Sequence, residues 1–151
     1  MGRQVRMVKA DWEHPKTKEY PSFELCLKPL HDGSRYEADR DEFMAKANAN
    51  GLQEAIDWFG RAPDANDYMP VWKLEERTHL MMYEDTSEGT PISPAFATPE
   101  ELARWLAYNG ASSFAGHTAS YEAWLRVANG GWAPSMIISN GVMQSGVEAA
   151  L

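Results

Sequence analysis

Asn140-Gly141 stands between two short runs, Ser135–Ser139 and Val142–Ser145, and restricts the local fold more tightly than any other pair in the chain. A two-residue turn of the mirror type needs positive φ at both central positions, which Asn tolerates and Gly adopts without steric penalty. The dipeptide predicts a C-terminal β-hairpin in one register, with Ser139 opposite Val142 and Ile137 opposite Gln144. A slip of one residue would turn every side chain to the other face.

Helix grammar is nearly as plain at Thr98-Pro99-Glu100-Glu101. The Thr hydroxyl caps, Pro occupies the tolerated first position, and Glu101 completes a capping box. Leu102, Trp105 and Leu106 form the apolar stripe that follows, and Asn109-Gly110 closes the helix. A second helix reads the same way, from a Ser120 cap through Tyr121, Trp124 and Leu125 to a stop at Asn129-Gly130. The two share common helix grammar and are not an internal repeat.

The earlier half is less sharply punctuated. Residues 4 to 9 read as a short strand that ends in the Asp11-Trp12-Glu13-His14-Pro15 turn. Phe23, Leu25 and Leu27 alternate with Glu24, Cys26 and Lys28, which predicts a strand with one face in a core and one toward solvent. From about Asp39 the period becomes helical through Phe43, Met44 and Ala47, breaks near Asn48-Ala49-Asn50-Gly51, and resumes through Leu52, Ala55, Ile56 and Phe59. Residues 60 to 70 read as loop, Thr78 to Tyr83 as a strand, and residues 85 to 94 as a second long loop. Strands, paired helices and a terminal hairpin without βαβ alternation define an α+β class. The expected arrangement is a single domain over residues 1 to 151, in which a small antiparallel sheet and the hairpin pack against several short amphipathic helices.

Composition sets the outer bounds. A chain of 151 residues with 44% hydrophobic and 24% charged residues is long and apolar enough to bury a core without staples. Its single cysteine, Cys26, has no internal partner, and Met1 leads into Gly2, Arg3 and Gln4 without an apolar leader, so a reducing cytoplasm is the expected compartment. No apolar run approaches the roughly 18 residues of a membrane span. The net charge of −8 repels phosphate backbones, which argues against sequence-independent nucleic-acid binding. It suits a partner with a basic surface, although acidity also serves simple solubility.

Catalytic motifs with a mechanical meaning are absent: no phosphate-binding glycine loop, no GxGxxG, no GxSxG elbow and no HExxH. Ser112 and Ser113, with His117 close behind, lie in a Gly-, Ala- and Ser-rich interhelical segment that reads as a connection. Glu76-Arg-Thr-His79 has the spacing that places two metal ligands on one helix face, and His14 is the second histidine that could join His79. One such copy without supporting His or Cys pairs does not predict a metal, so no metal, cofactor or catalytic set is expected. Cys26 reads as an inert small residue.

The long segment from Glu84 to Phe96, with the Glu76–His79 stretch leading into it, is the remaining candidate, because loops of this length in compact domains tend to carry function. Its proposed binding residues are His79, Tyr83, Glu84, Asp85, Glu88 and Thr90. Pinning of the loop to the core by its prolines, Ile92 and Phe96 is the competing explanation.

At these residues the chain resembles a group of small, mostly uncharacterised proteins encoded by bacteriophages and prophages. The resemblance runs through Asp11–Pro15, Asp67–Pro70, Glu76–His79, Tyr83–Pro94, Thr98–Leu106 and Gly131–Ser135. It implies a viral origin and no particular reaction. The functional expectation is an accessory protein that acts in the host cytoplasm by binding a host or viral protein with a basic surface, such as a host defence component. A small metal-dependent or hydrolytic enzyme built on His14, His79 and nearby carboxylates, and a structural or virion-associated protein, are the alternatives.

Overall fold

The computed structural model describes residues 2–85 and 89–149. In chain order the elements are β1 (Gly2–Val8), β2 (Lys16–Glu19), β3 (Glu24–Leu27), α1 (Tyr36–Asn50), α2 (Leu52–Phe59), β4 (His79–Glu84), β5 (Thr90–Pro91), α3 (Pro99–Tyr108), α4 (Tyr121–Gly130), β6 (Trp132–Pro134), β7 (Met136–Ser139), β8 (Val142–Ser145) and α5 (Gly146–Ala149). The fold is α+β. The chain divides into two compact units, Met1–Lys28 with Trp72–Leu151, and Pro29–Val71.

The first unit is built on a four-stranded antiparallel sheet in the order β5-β4-β1-β6. Opposed residues share a face, so Val5 with Met82 and Met7 with Leu80 mark one side, and Gln4 with Tyr83 and Arg6 with Met81 mark the other. Leu80 and Met82 pack with Leu102, Ala103 and Leu106 of α3 and with Ala123, Trp124, Val127 and Ala128 of α4 to form the core. Both helices start as their sequences predict: Thr98 Oγ1 accepts from Glu101 N at 3.2 Å, and Ser120 Oγ from Ala123 N at 3.2 Å. One boundary differs. The helix expected to stop at Asn129-Gly130 runs through Gly130, and Gly131 at φ +87° makes the left-handed cap, its N–H donating to Val127 O.

Among the described residues, β2 and β3 form one two-stranded sheet and β7 and β8 another. The expected core face of the Phe23–Lys28 strand is therefore corrected: Phe23 precedes the strand at φ +56°, and Phe23 and Leu25 are each 62% exposed. Alternation correctly marks an extended segment, but only Leu27 of its apolar face is half-buried, while Phe23 and Leu25 stay largely exposed. The hairpin β7–β8 takes the expected register, with Ser139 opposite Val142 and Ile137 opposite Gln144. Asn140 and Gly141 have φ of +52° and +75°. A Cβ at residue 141 would meet no atom within 4 Å, so Gly141→Val tests backbone strain alone. That strain costs about 1–3 kcal/mol. Because both faces of this ribbon are largely exposed, the expected result is loss of amide-exchange protection across Met136–Ser145 while α3 and α4 keep theirs.

In the second unit α1 and α2 meet at Gly51, as the Asn- and Gly-rich break predicts. Phe43 and Ala55 are buried, Phe43 and Phe59 rings lie 5.9 Å apart, and Leu30 and Met69 complete the small core. The expected loop at 60 to 70 carries one 3-10 turn, Ala65–Asp67, capped by Asp64. Tyr68 packs against His31 and Tyr36 and donates to Asp39 Oδ2 at 2.8 Å. Burial and that carboxylate push its hydroxyl up to about 12.

Candidate functional site

Helices cover one face of β4, and a strap made of residues 11 to 15 closes against the other. Tyr83 is fully buried there, and its hydroxyl oxygen accepts from Trp12 Nε1 at 3.3 Å. The same hydroxyl lies 3.1 Å from His14 Nδ1, and His14 Nε2 lies 2.5 Å from Lys28 O. A carbonyl can only accept, so the hydrogen of neutral His14 sits on Nε2 and Nδ1 accepts from Tyr83. The chain of bonds runs Trp12 to Tyr83 to His14 to Lys28. Trp72 packs edge-on against Trp12 at 5.0 Å, and the Arg6 guanidinium lies 4.5 Å from the Tyr83 ring centre.

Electrostatics keep this chain of bonds uncharged. Burial holds His14 below its ordinary value against the opposing pull of the Lys28 carbonyl, and the Arg6 charge lowers it further. Burial also raises Tyr83, with the Trp12 hydrogen bond and Arg6 pulling the other way.

Beside the strap is an open cleft of about 620 Å³, within the usual range for small-ligand sites. Trp12, Glu13, His14 and Lys16 form one side, Pro91–Ala95 the other, and Met81 and Trp105 also line it. Thus two segments singled out by sequence, Asp11–Pro15 and the Pro-Ile-Ser-Pro stretch, become walls of one feature. The second wall is firmly pinned: Ser93 Oγ accepts from Met82 N and donates to Pro94 O, and Ile92 N donates to Met82 O. The segment expected as loop over 85 to 94 therefore contains the edge strand β5 and a clamped extension of it. Trp105, expected in the apolar stripe of α3, packs against the core from a half-buried position and also lines this cleft.

The proposed binding residues take separate places. Tyr83 anchors the strap. His79 begins β4, where its Nδ1 meets Thr78 Oγ1 at 2.8 Å. Glu84 pairs with buried Arg3 at 3.6 Å, and Asp85 accepts from Gly2 N and from Trp132 Nε1. Thr90 lies opposite Glu84 in the β4–β5 ladder, and Glu88 lies outside the described residues. The Glu-x-x-His helix geometry is not formed, since Leu74–Glu76 is a 3-10 turn and His79 is on a strand. His14 bonds at Tyr83, four residues and about 13 Å along β4 from His79, so the two histidines are not brought together. Among the described residues there is no group of three or more His, Cys, Asp or Glu placed to hold a metal ion.

Ser113 is fully buried, yet its Oγ donates to the His117 backbone carbonyl at 3.0 Å and accepts from Ser145 Oγ at 3.0 Å. The His117 ring instead stacks on Phe114. Cys26 is half-buried with Sγ donating to Thr17 O at 3.4 Å, and burial together with Glu19 pushes its thiol up, away from the reactive thiolate.

The second unit presents a different kind of surface. It carries nine Asp and Glu against four Lys and Arg, which is five of the chain's net eight negative charges. Trp58 on α2 is 72% exposed, with Lys46 Nζ 4.8 Å from its ring centre and Glu54 pairing with that lysine at 3.7 Å. Met44 and Leu52 are exposed as well. Sequence periodicity assigned Met44 and Leu52 to the helical apolar stripe and gave no sign that they stay uncovered.

No family model matches this sequence, and comparison with curated proteins and with solved structures finds no match. No helix among the described residues is long and apolar enough to cross a membrane.

Proposed function

We propose that this protein works by binding another protein, one with a basic surface, through the acidic helical unit Pro29–Val71. The observation that carries the reading is the coincidence on that unit of most of the net negative charge with an exposed Trp58. Exposed aromatics at the centre of an interface supply much of its binding energy, and surrounding charge steers encounter and selects the partner. The resemblance to phage- and prophage-encoded proteins supports a partner in the infected host cell, and interference with a host defence component fits that setting.

Capture from host lysate at low salt, and again near 1 M where the Debye length falls to about 3 Å, tests the reading. A basic partner should be retained in the first case and released in the second. Asp57→Lys with Trp58→Ala should abolish retention, whereas Glu100→Lys on α3 should leave it intact. Retention that ignores both salt and the α2 changes would sink the proposal.

A further inference from the structure

We propose that His14 is a pH-sensitive latch: a second proton on its ring reverses the hydrogen bond to Tyr83 and releases the Trp12–Pro15 wall of the cleft. This goes beyond the partner-binding reading and does not depend on it. The argument is one of donors and acceptors. In the neutral state Nδ1 accepts the Tyr83 hydrogen, while the Tyr83 oxygen accepts from Trp12. A proton taken from solvent turns Nδ1 into a donor, and Tyr83 must then accept from both rings and send its own hydrogen elsewhere. The other acceptor recorded for that hydroxyl is Met81 Sδ at 3.8 Å, a weak one. Nε2 still donates to Lys28 O, so the whole cost falls on the Tyr83 side.

Burial opposes protonation first, and the Arg6 charge adds to it against the pull of the Lys28 carbonyl. Tyr83 from β4 is neutral, Arg6 from β1 adds positive charge, and Lys16 at the start of β2 and Glu13 within the strap line the same cleft with opposite signs. The folded state thus binds the proton more weakly than the unfolded chain does. Its contribution to stability is present above the ordinary histidine range and is lost as pH falls through it. What yields first is the contact of Trp12 and His14 with Tyr83, while the bonds from His14 Nε2 to Lys28 O and from Lys28 N to Pro15 O hold the other end of the strap.

Proton NMR over pH 8 to about 4.5 reads the latch directly. The Trp12 indole N–H and the His14 ring should titrate together, with a midpoint below about 6.5, while amides of α3 and α4 stay in place. Tyr83→Phe removes the bond that favours the neutral ring and should raise the His14 midpoint. In His14→Gln the Trp12 signal should no longer depend on pH. A Trp12 signal that stays fixed while His14 titrates, or one that moves identically in His14→Gln, would overturn the proposal.

Discussion

Replacing Trp124 with Ala is expected to remove about 3–5 kcal/mol of stability, a large share of what a domain of this size possesses. Trp124 is fully buried at the meeting point of α4, α3 and the core face of β4, so its loss opens a void that short helices cannot close. Its indole adds a second feature: Nε1 is buried and has no hydrogen-bond partner among the described residues. A buried N–H left unpaired costs about 1–3 kcal/mol. Trp124→Phe removes that cost along with part of the packing, so its net effect should be only about 1 kcal/mol. Chemical denaturation of the two variants separates the contributions. A Phe variant as damaged as the Ala variant would show that the indole N–H is satisfied and that packing alone governs the site.

Gly146→Ala is the other substitution with a large expected effect. Gly146 is buried where α5 begins, and its N–H donates to Ser135 O. A Cβ there would stand 1.9 Å from Pro134 O and 2.6 Å from Pro134 C. Both are backbone atoms of β6, so no rotamer change relieves the clash, and β6 or α5 must move. Overpacking of this kind costs about 1–3 kcal/mol, which corresponds to a fall in Tm of roughly 3–10 °C. Fully buried Val147 would be displaced from the core with it. A thermal melt unchanged from the parent would mean that α5 is not seated against β6.

These effects also indicate which features a reader of the sequence can reach. The Asn140-Gly141 register and the Thr98 and Ser120 caps involve residues a few positions apart, and local sterics decide them. The Phe23–Lys28 alternation is equally local, but whether its apolar face is covered depends on what the rest of the chain brings to it. The strap belongs to the same category. Trp12 and Tyr83 are separated by 71 residues, and nothing near either one states that they meet. The apolar run Leu80–Tyr83 does hint at it, because a strand buried on both faces loses its alternation. Arg6 gave no such hint, since a charged residue in a short strand normally points to solvent, and here it lies under Tyr83.

The unit Pro29–Val71 leaves the larger unit at Lys28 and returns to it at Trp72. Lys28 holds the His14 ring through its carbonyl, and Trp72 stacks edge-on against Trp12, so departure and return flank the same two strap residues. An insertion with closely spaced attachment points can be lengthened, shortened or exchanged without disturbing the sheet that carries it. Sequence change within the inserted helices is thereby decoupled from the sheet and core of the larger unit, so the two units are free to diverge at different rates.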